Sequence, residues 1–93
     1  MGLRNDNFKY RVQRMLENKG YIVYQMKDSE CPFDLLRIRR DGRMTGIKCQ
    51  AHYHLNKIEK QELLALNIPV RVASEAYSTD SHIHKIKVRE VVL

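Results

Sequence analysis

Asp34, Lys48 and Gln50 are the residues whose types and spacing could do chemistry together. Asp34 closes the stretch Cys31-Pro32-Phe33-Asp34, and Lys48 and Gln50 lie two apart in Gly46-Ile47-Lys48-Cys49-Gln50. Residues two apart on a strand share a face, so Lys48 and Gln50 are expected to project together toward Asp34 on a neighbouring strand. Ile47, Cys49 and Ala51 then point the other way, into the core. Hydrolysis of a phosphodiester by divalent ions uses this kind of layout, with at least two carboxylates converging on the ion and a further group that places or deprotonates water. Here the face offers one acid, an ammonium and an amide.

The elements that must hold these residues are readable along the chain. Asn5, Asp6 and Asn7 offer N-cap oxygens, and Phe8, Val12, Met15 and Leu16 recur at helical spacing before Gly20 stops the helix. Tyr21 to Met26 is rich in β-branched and aromatic residues and reads as a strand. Phe33–Arg39 and Met44–Ala51 flank Arg40-Asp41-Gly42-Arg43, where an Asp-Gly pair predicts a type I′ hairpin. Leu55, Ile58, Leu63 and Leu66 predict a second helix, capped by Asn56 and stopped near Asn67 and Pro69. Pro69–Ser74 and His82–Leu93 read as strands, with a polar turn at Tyr77–Ser81. The order α-β-β-β-α-β-β describes a small α/β fold, and a helical crossover makes the third and fourth strands parallel. The expected core is Phe8, Val12, Met15, Leu16, Ile22, Leu36, Ile38, Ile47, Cys49, Leu63, Leu66, Val70 and Val72.

A length of 93 residues suits a single domain, residues 1–93. Lys and Arg outnumber Asp and Glu by 17 to 11, for a net charge of +6, so a polyanion is the expected partner and nucleic acid leads that class. Cys31 and Cys49 form neither a C-x-x-C pair nor a disulfide framework, which suggests free thiols in a reducing compartment. The polar opening Gly2-Leu3-Arg4-Asn5-Asp6-Asn7 does not read as a signal peptide, and no apolar run nears the ~20 residues of a membrane span. The expectation is a cytoplasmic, soluble protein with no membrane partner and no small-molecule substrate. Lys9, Arg11 and Arg14 on the first helix, with Arg37, Arg39, Arg40 and Arg43 on the hairpin, are positioned to track phosphates. A solvated surface is the competing reading for both groups. His52 and His54, and His82 and His84, form pairs two apart. They lack Cys or acid ligands at zinc-site spacing and read as surface or DNA-facing residues.

With these segments in this order, the chain resembles the PD-(D/E)XK nucleases, and within them the archaeal Holliday-junction resolvases. The matching pieces are the first helix, Gly20-Tyr21-Ile22-Val23-Tyr24, Pro32-Phe33-Asp34-Leu35-Leu36 and Gly46-Ile47-Lys48-Cys49-Gln50, then a helix and a strand. The resemblance implies a restriction-endonuclease-like three-layer fold, a mixed central sheet flanked by helices, and a homodimer acting on duplex or branched DNA. It also implies a catalytic set of a Glu in the first helix, the Asp of the Pro-x-Asp element and the Glu and Lys of E-x-K. Asp34 matches, whereas the helix acid falls at or beside Lys9, the second acid falls on Lys48 and the lysine falls on Gln50. An ammonium for a carboxylate changes the local charge by two units where a dication should sit.

The expectation is therefore a degenerate, catalytically inactive site in a DNA-binding protein, without a cofactor. Lys9, Arg11, Arg14, Arg39, Arg40, Arg43 and Lys48 would contact DNA, with Lys48 holding a phosphate directly. Two alternatives stay open. One is an active Mg²⁺-dependent endonuclease in which Asp34 is joined by acids from elsewhere, with Glu30, Glu59 and Glu62 as candidates. The other is a non-catalytic interaction subunit of a DNA repair or recombination complex.

Overall fold

The apolar spacing of Phe8, Val12, Met15 and Leu16 builds α1 (Leu3–Asn18) in a computed structural model that describes residues 3–28, 30–52, 54–78 and 83–92. Asn5, Asp6 and Asn7, expected at the N-cap, instead lie inside α1, which begins at Leu3. The C-terminal stop is as expected. Gly20 adopts φ 95°, its N–H bonds Glu17 O at 3.0 Å, and the Tyr21 N–H reaches back to Leu16 O at 3.2 Å. These paired bonds satisfy carbonyls at the helix end and turn the chain directly into the sheet.

The strands are β1 (Ile22–Gln25), β2 (Leu35–Ile38), β3 (Met44–Cys49), β4 (Val70–Ser78) and β5 (Ile83–Glu90), with α2 (Lys57–Leu64) between β3 and β4. They form one five-stranded mixed sheet in the order β1-β2-β3-β4-β5. β3 and β4 run parallel, as the α2 crossover requires, and the other neighbours are antiparallel. Asn56 caps α2 through a capping box, its side chain accepting from the Glu59 N–H while the Glu59 side chain accepts from the Asn56 N–H. Of the turn expected at Tyr77–Ser81, residues 77 and 78 belong to β4 and the remainder lies outside the described residues.

Two apolar clusters hold the sheet. Phe8, Val12 and Leu16 of α1 pack on Val23, Leu35, Ile47 and Ala73. On the opposite face Leu63 of α2 joins Leu55, Val72 and Val91. Adjacent strand residues point to opposite faces, so Val72 and Ala73 place the helices on the two sides of the sheet. The expected core needs correction on this account. Leu35, not Leu36 or Ile38, is the fully buried β2 residue, because it pairs with Ile47 beneath α1. Ile22 is 55% exposed on the face away from α1, and Ile58 is 66% exposed on α2.

The hairpin also differs from expectation. The Gly42 N–H closes on Arg39 O and the Arg39 N–H on Arg43 O, both at 2.9 Å, so the loop has three residues with Gly42 at φ 90°. Asp41 selects this form by accepting from the Arg43 N–H at 3.1 Å.

Candidate functional site

Asp34 lies where β2 and β3 part. The Met26 N–H donates to Asp34 O and the Asp34 N–H to Ile47 O, both at 2.9 Å, so its main chain extends the sheet on both sides. The bond to Ile47 is one position out of step with the Leu35–Ile47 pairing. Cys49 lies beyond the last paired residue of β3 on this side, and its N–H donates to Asp34 Oδ2 at 2.7 Å. The carboxylate thus completes the ladder in place of a carbonyl.

The charges predicted for this site influence the Cys49 thiol at a distance. The Cys49 thiol is pushed up to about 12, first by burial and then by the Asp34 carboxylate, while Lys9 and Lys48 pull against the shift. Cys49 packs with the α1 cluster, whereas Lys48, its neighbour in β3, points to the α2 side of the sheet, so Lys9 and Lys48 act on the thiol from opposite sides. Gln50 follows the last residue of β3. Its N–H bonds Ala73 O at 2.9 Å, and its side-chain oxygen accepts from the His54 N–H at 3.4 Å. Lys48 also lines a small cleft with Pro32, Leu55, Leu63, Glu59 and Glu62. Two of the three acids that could serve as displaced ligands are thus on the Lys48 side of the sheet. Glu30 is exposed in the loop before Cys31 and does not line this cleft.

The donors present do not fit a divalent metal ion. Mg²⁺ is ordinarily held by one or two carboxylates together with substrate phosphates. Here one Asp34 oxygen is engaged by a main-chain N–H, and the second acid position of the expected set is Lys48. Among the described residues no group of three or more His, Cys, Asp and Glu side chains could hold an ion. His52 and His54 are exposed, and His82 lies outside the described residues.

The other basic residues divide between two ends of the sheet. Arg11 is tied to Glu75 of β4 at 2.8 Å and lies over the Phe8 ring at 5.8 Å, so it braces α1 against the sheet, while Arg14 is exposed. Arg39, Arg40 and Arg43 are at the hairpin end. Five strand positions, about 16 Å at ~3.3 Å per residue, separate them from Asp34. Arg39 and Arg43 share Asp41 at 3.8 and 3.6 Å. Sequence reasoning missed Arg71, Thr45 and Tyr21, which join Arg37 at this end. The one signal was the alternation Leu35-Arg37-Arg39, which puts arginines on the buried face of β2 once α1 has ended.

No protein-family model matches the chain, and no curated protein matches it at a significant level. Among the described residues no helix is long and apolar enough to cross a membrane.

Proposed function

We propose that this chain is a DNA-binding protein with a restriction-endonuclease-like fold of the PD-(D/E)XK type, similar to Holliday-junction resolvases, in which the nuclease site no longer cuts. The observation that carries the reading is that Asp34, the one acid matching the expected set, is engaged by the Cys49 N–H, while Lys9 on α1 and Lys48 in the cleft on the α2 side stand at the positions of the other acids. Lys48 and Lys9 make no ion pair among the described residues, so both ammonium groups are available to phosphate oxygens. The element order, the sheet order and the parallel β3–β4 pair agree with this fold. The homodimer that this reading implies would use the sheet face away from α1, where Ile22 and Tyr24 are exposed beside Ile38 and Leu36.

The test is binding of linear duplex and four-way DNA, by fluorescence anisotropy over a range of salt, for the wild type, Lys9→Glu and Lys48→Glu. Each variant is expected to weaken binding and to flatten the slope of log affinity against log salt by about 0.9 for each phosphate that is no longer neutralised. Unchanged binding removes both lysines from the interface. Cutting of either DNA in Mg²⁺ or Mn²⁺ overturns the inactive reading and favours the active one, for which Glu59 and Glu62 beside Lys48 are the acids to remove next.

A further inference from the structure

At the hairpin end, four guanidinium groups crowd one groove on the α1 side of the sheet. Arg37, Arg39, Arg43 and Arg71 line it with Thr45, Met44 and Pro69. Register explains the crowding: Arg37 pairs with Thr45 across β2–β3, and Arg71 pairs with Ile47 across β3–β4, so both project to the face that α1 covers only farther along the sheet. Their anionic neighbours are few and distant. Asp41 serves both Arg39 and Arg43 at 3.8 and 3.6 Å, and Glu90 meets Arg71 at 3.6 Å, so two carboxylates face four cations. These separations exceed the ~2.7–2.9 Å of a charge-assisted hydrogen bond, which leaves guanidinium donors unused.

Arg37 is the fixed point of the groove. Its guanidinium stacks over the Tyr21 ring at 4.6 Å and donates to the Thr45 hydroxyl at 3.4 Å, and Thr45 is itself buried. Its Nε is buried and has no hydrogen-bond partner among the described residues. A buried donor left unpaired is costly, and guanidinium forks match phosphate oxygens in shape and charge. Burial lowers the Arg37 pKa, and the nearby Arg71 and Arg39 push in the same direction against Tyr21. An anion in the groove would relieve that repulsion.

We infer that the groove of Arg37, Arg39, Arg43, Arg71 and Thr45 is a phosphate-binding site, separate from the Asp34 end of the sheet. The phosphate belongs either to a nucleic-acid backbone or to a free phosphorylated molecule. The site stands independently of what the Asp34 end binds.

The test follows the arginine Nε–Hε resonances of the full chain by NMR during titration with pyrophosphate at constant ionic strength. Arg37 and Arg71 are expected to shift saturably while exposed Arg14 does not. The double variant Arg43→Gln/Arg71→Gln, which leaves Arg37 and its stacking on Tyr21 in place, should weaken pyrophosphate binding at least tenfold with the amide spectrum still dispersed. A short DNA duplex that displaces pyrophosphate supports the site and identifies a backbone phosphate as its ligand; a duplex that leaves pyrophosphate bound supports a free phosphorylated ligand. Shifts of Arg37 and Arg71 that do not saturate, or that merely follow Arg14, overturn the inference.

Discussion

Asp34 Oδ2 accepts the main-chain N–H of Cys49 at 2.7 Å, fifteen residues away in sequence, and so bridges the point where β2 and β3 separate. The bond gives the one acid of the candidate site a structural duty. Asp34→Ala leaves a partly buried N–H without an acceptor, and the expected loss is about 1–3 kcal/mol of unfolding free energy. Asp34→Asn keeps an acceptor oxygen at the same place and should lose less. Urea denaturation of the two variants beside the wild type separates them, and equal losses would mean that the hydrogen bond is not what Asp34 contributes.

The second expected outcome concerns the Cys49 thiol. Its pKa is raised from 9.0 to about 12, chiefly by burial and then by Asp34, so the folded state holds the proton more tightly than the unfolded chain. A raised pKa contributes stability that is complete below 9.0 and is lost as pH climbs toward about 12. Stability should therefore fall across that window, and Cys49→Ala should fall less steeply, since both chains share the same lysine and tyrosine titrations. Urea midpoints measured against pH give the comparison. Identical slopes for the two chains would assign the loss to other groups.

Much of the architecture is legible from local signals, and the exceptions have physical reasons. The α1 stripe, the turn at Gly20, the Asn56 cap and the parallel crossover each depend on residues close in sequence. The buried face of β2 does not: Leu35 and Leu36 are both apolar, and only pairing with Ile47 decides that Leu35 goes under α1. The Asp-Gly pair pointed to a hairpin, but the Asp41 side chain bonding to the Arg43 N–H decided its loop. The spacing that groups Asp34 with Lys48 was visible, whereas the Asp34–Cys49 bond exists only because the strands diverge. The arginine groove was hidden for a similar reason, since Tyr21, Arg37, Thr45 and Arg71 come from separate segments.

Gly46 supplies the third expected outcome. A β-carbon built on it would lie 2.8 Å from the Phe33 ring, closer than such carbons approach a ring, so glycine here lets an aromatic ring rest on the β3 main chain. Phe33 immediately precedes Asp34, and its seating helps fix where the carboxylate lies. Gly46→Ala is expected to destabilise by about 1–3 kcal/mol, the range for overpacking. It should also move the Cys49 amide resonance by disturbing the bond to Asp34. A fully stable variant with an unmoved Cys49 amide would show that the ring gives way without consequence for Asp34.

The last expected outcome reverses the charges at the Asp34 end. Lys9→Glu with Lys48→Glu would add two carboxylates to Asp34 at the positions where the nuclease resemblance implies acids. Gln50→Lys, one residue beyond β3, completes the arrangement that the nuclease resemblance implies. The triple variant should bind Mn²⁺ saturably, as read by electron paramagnetic resonance, and the wild type should not, because a single carboxylate with one oxygen already engaged by the Cys49 N–H supplies too few ligands for a dication. Cutting of four-way or linear DNA by the loaded variant would add chemistry to that binding. If three acids at these positions take up no Mn²⁺ in a folded chain, the side chains do not converge as a metal site requires, and the proposed descent of this site from a nuclease fails.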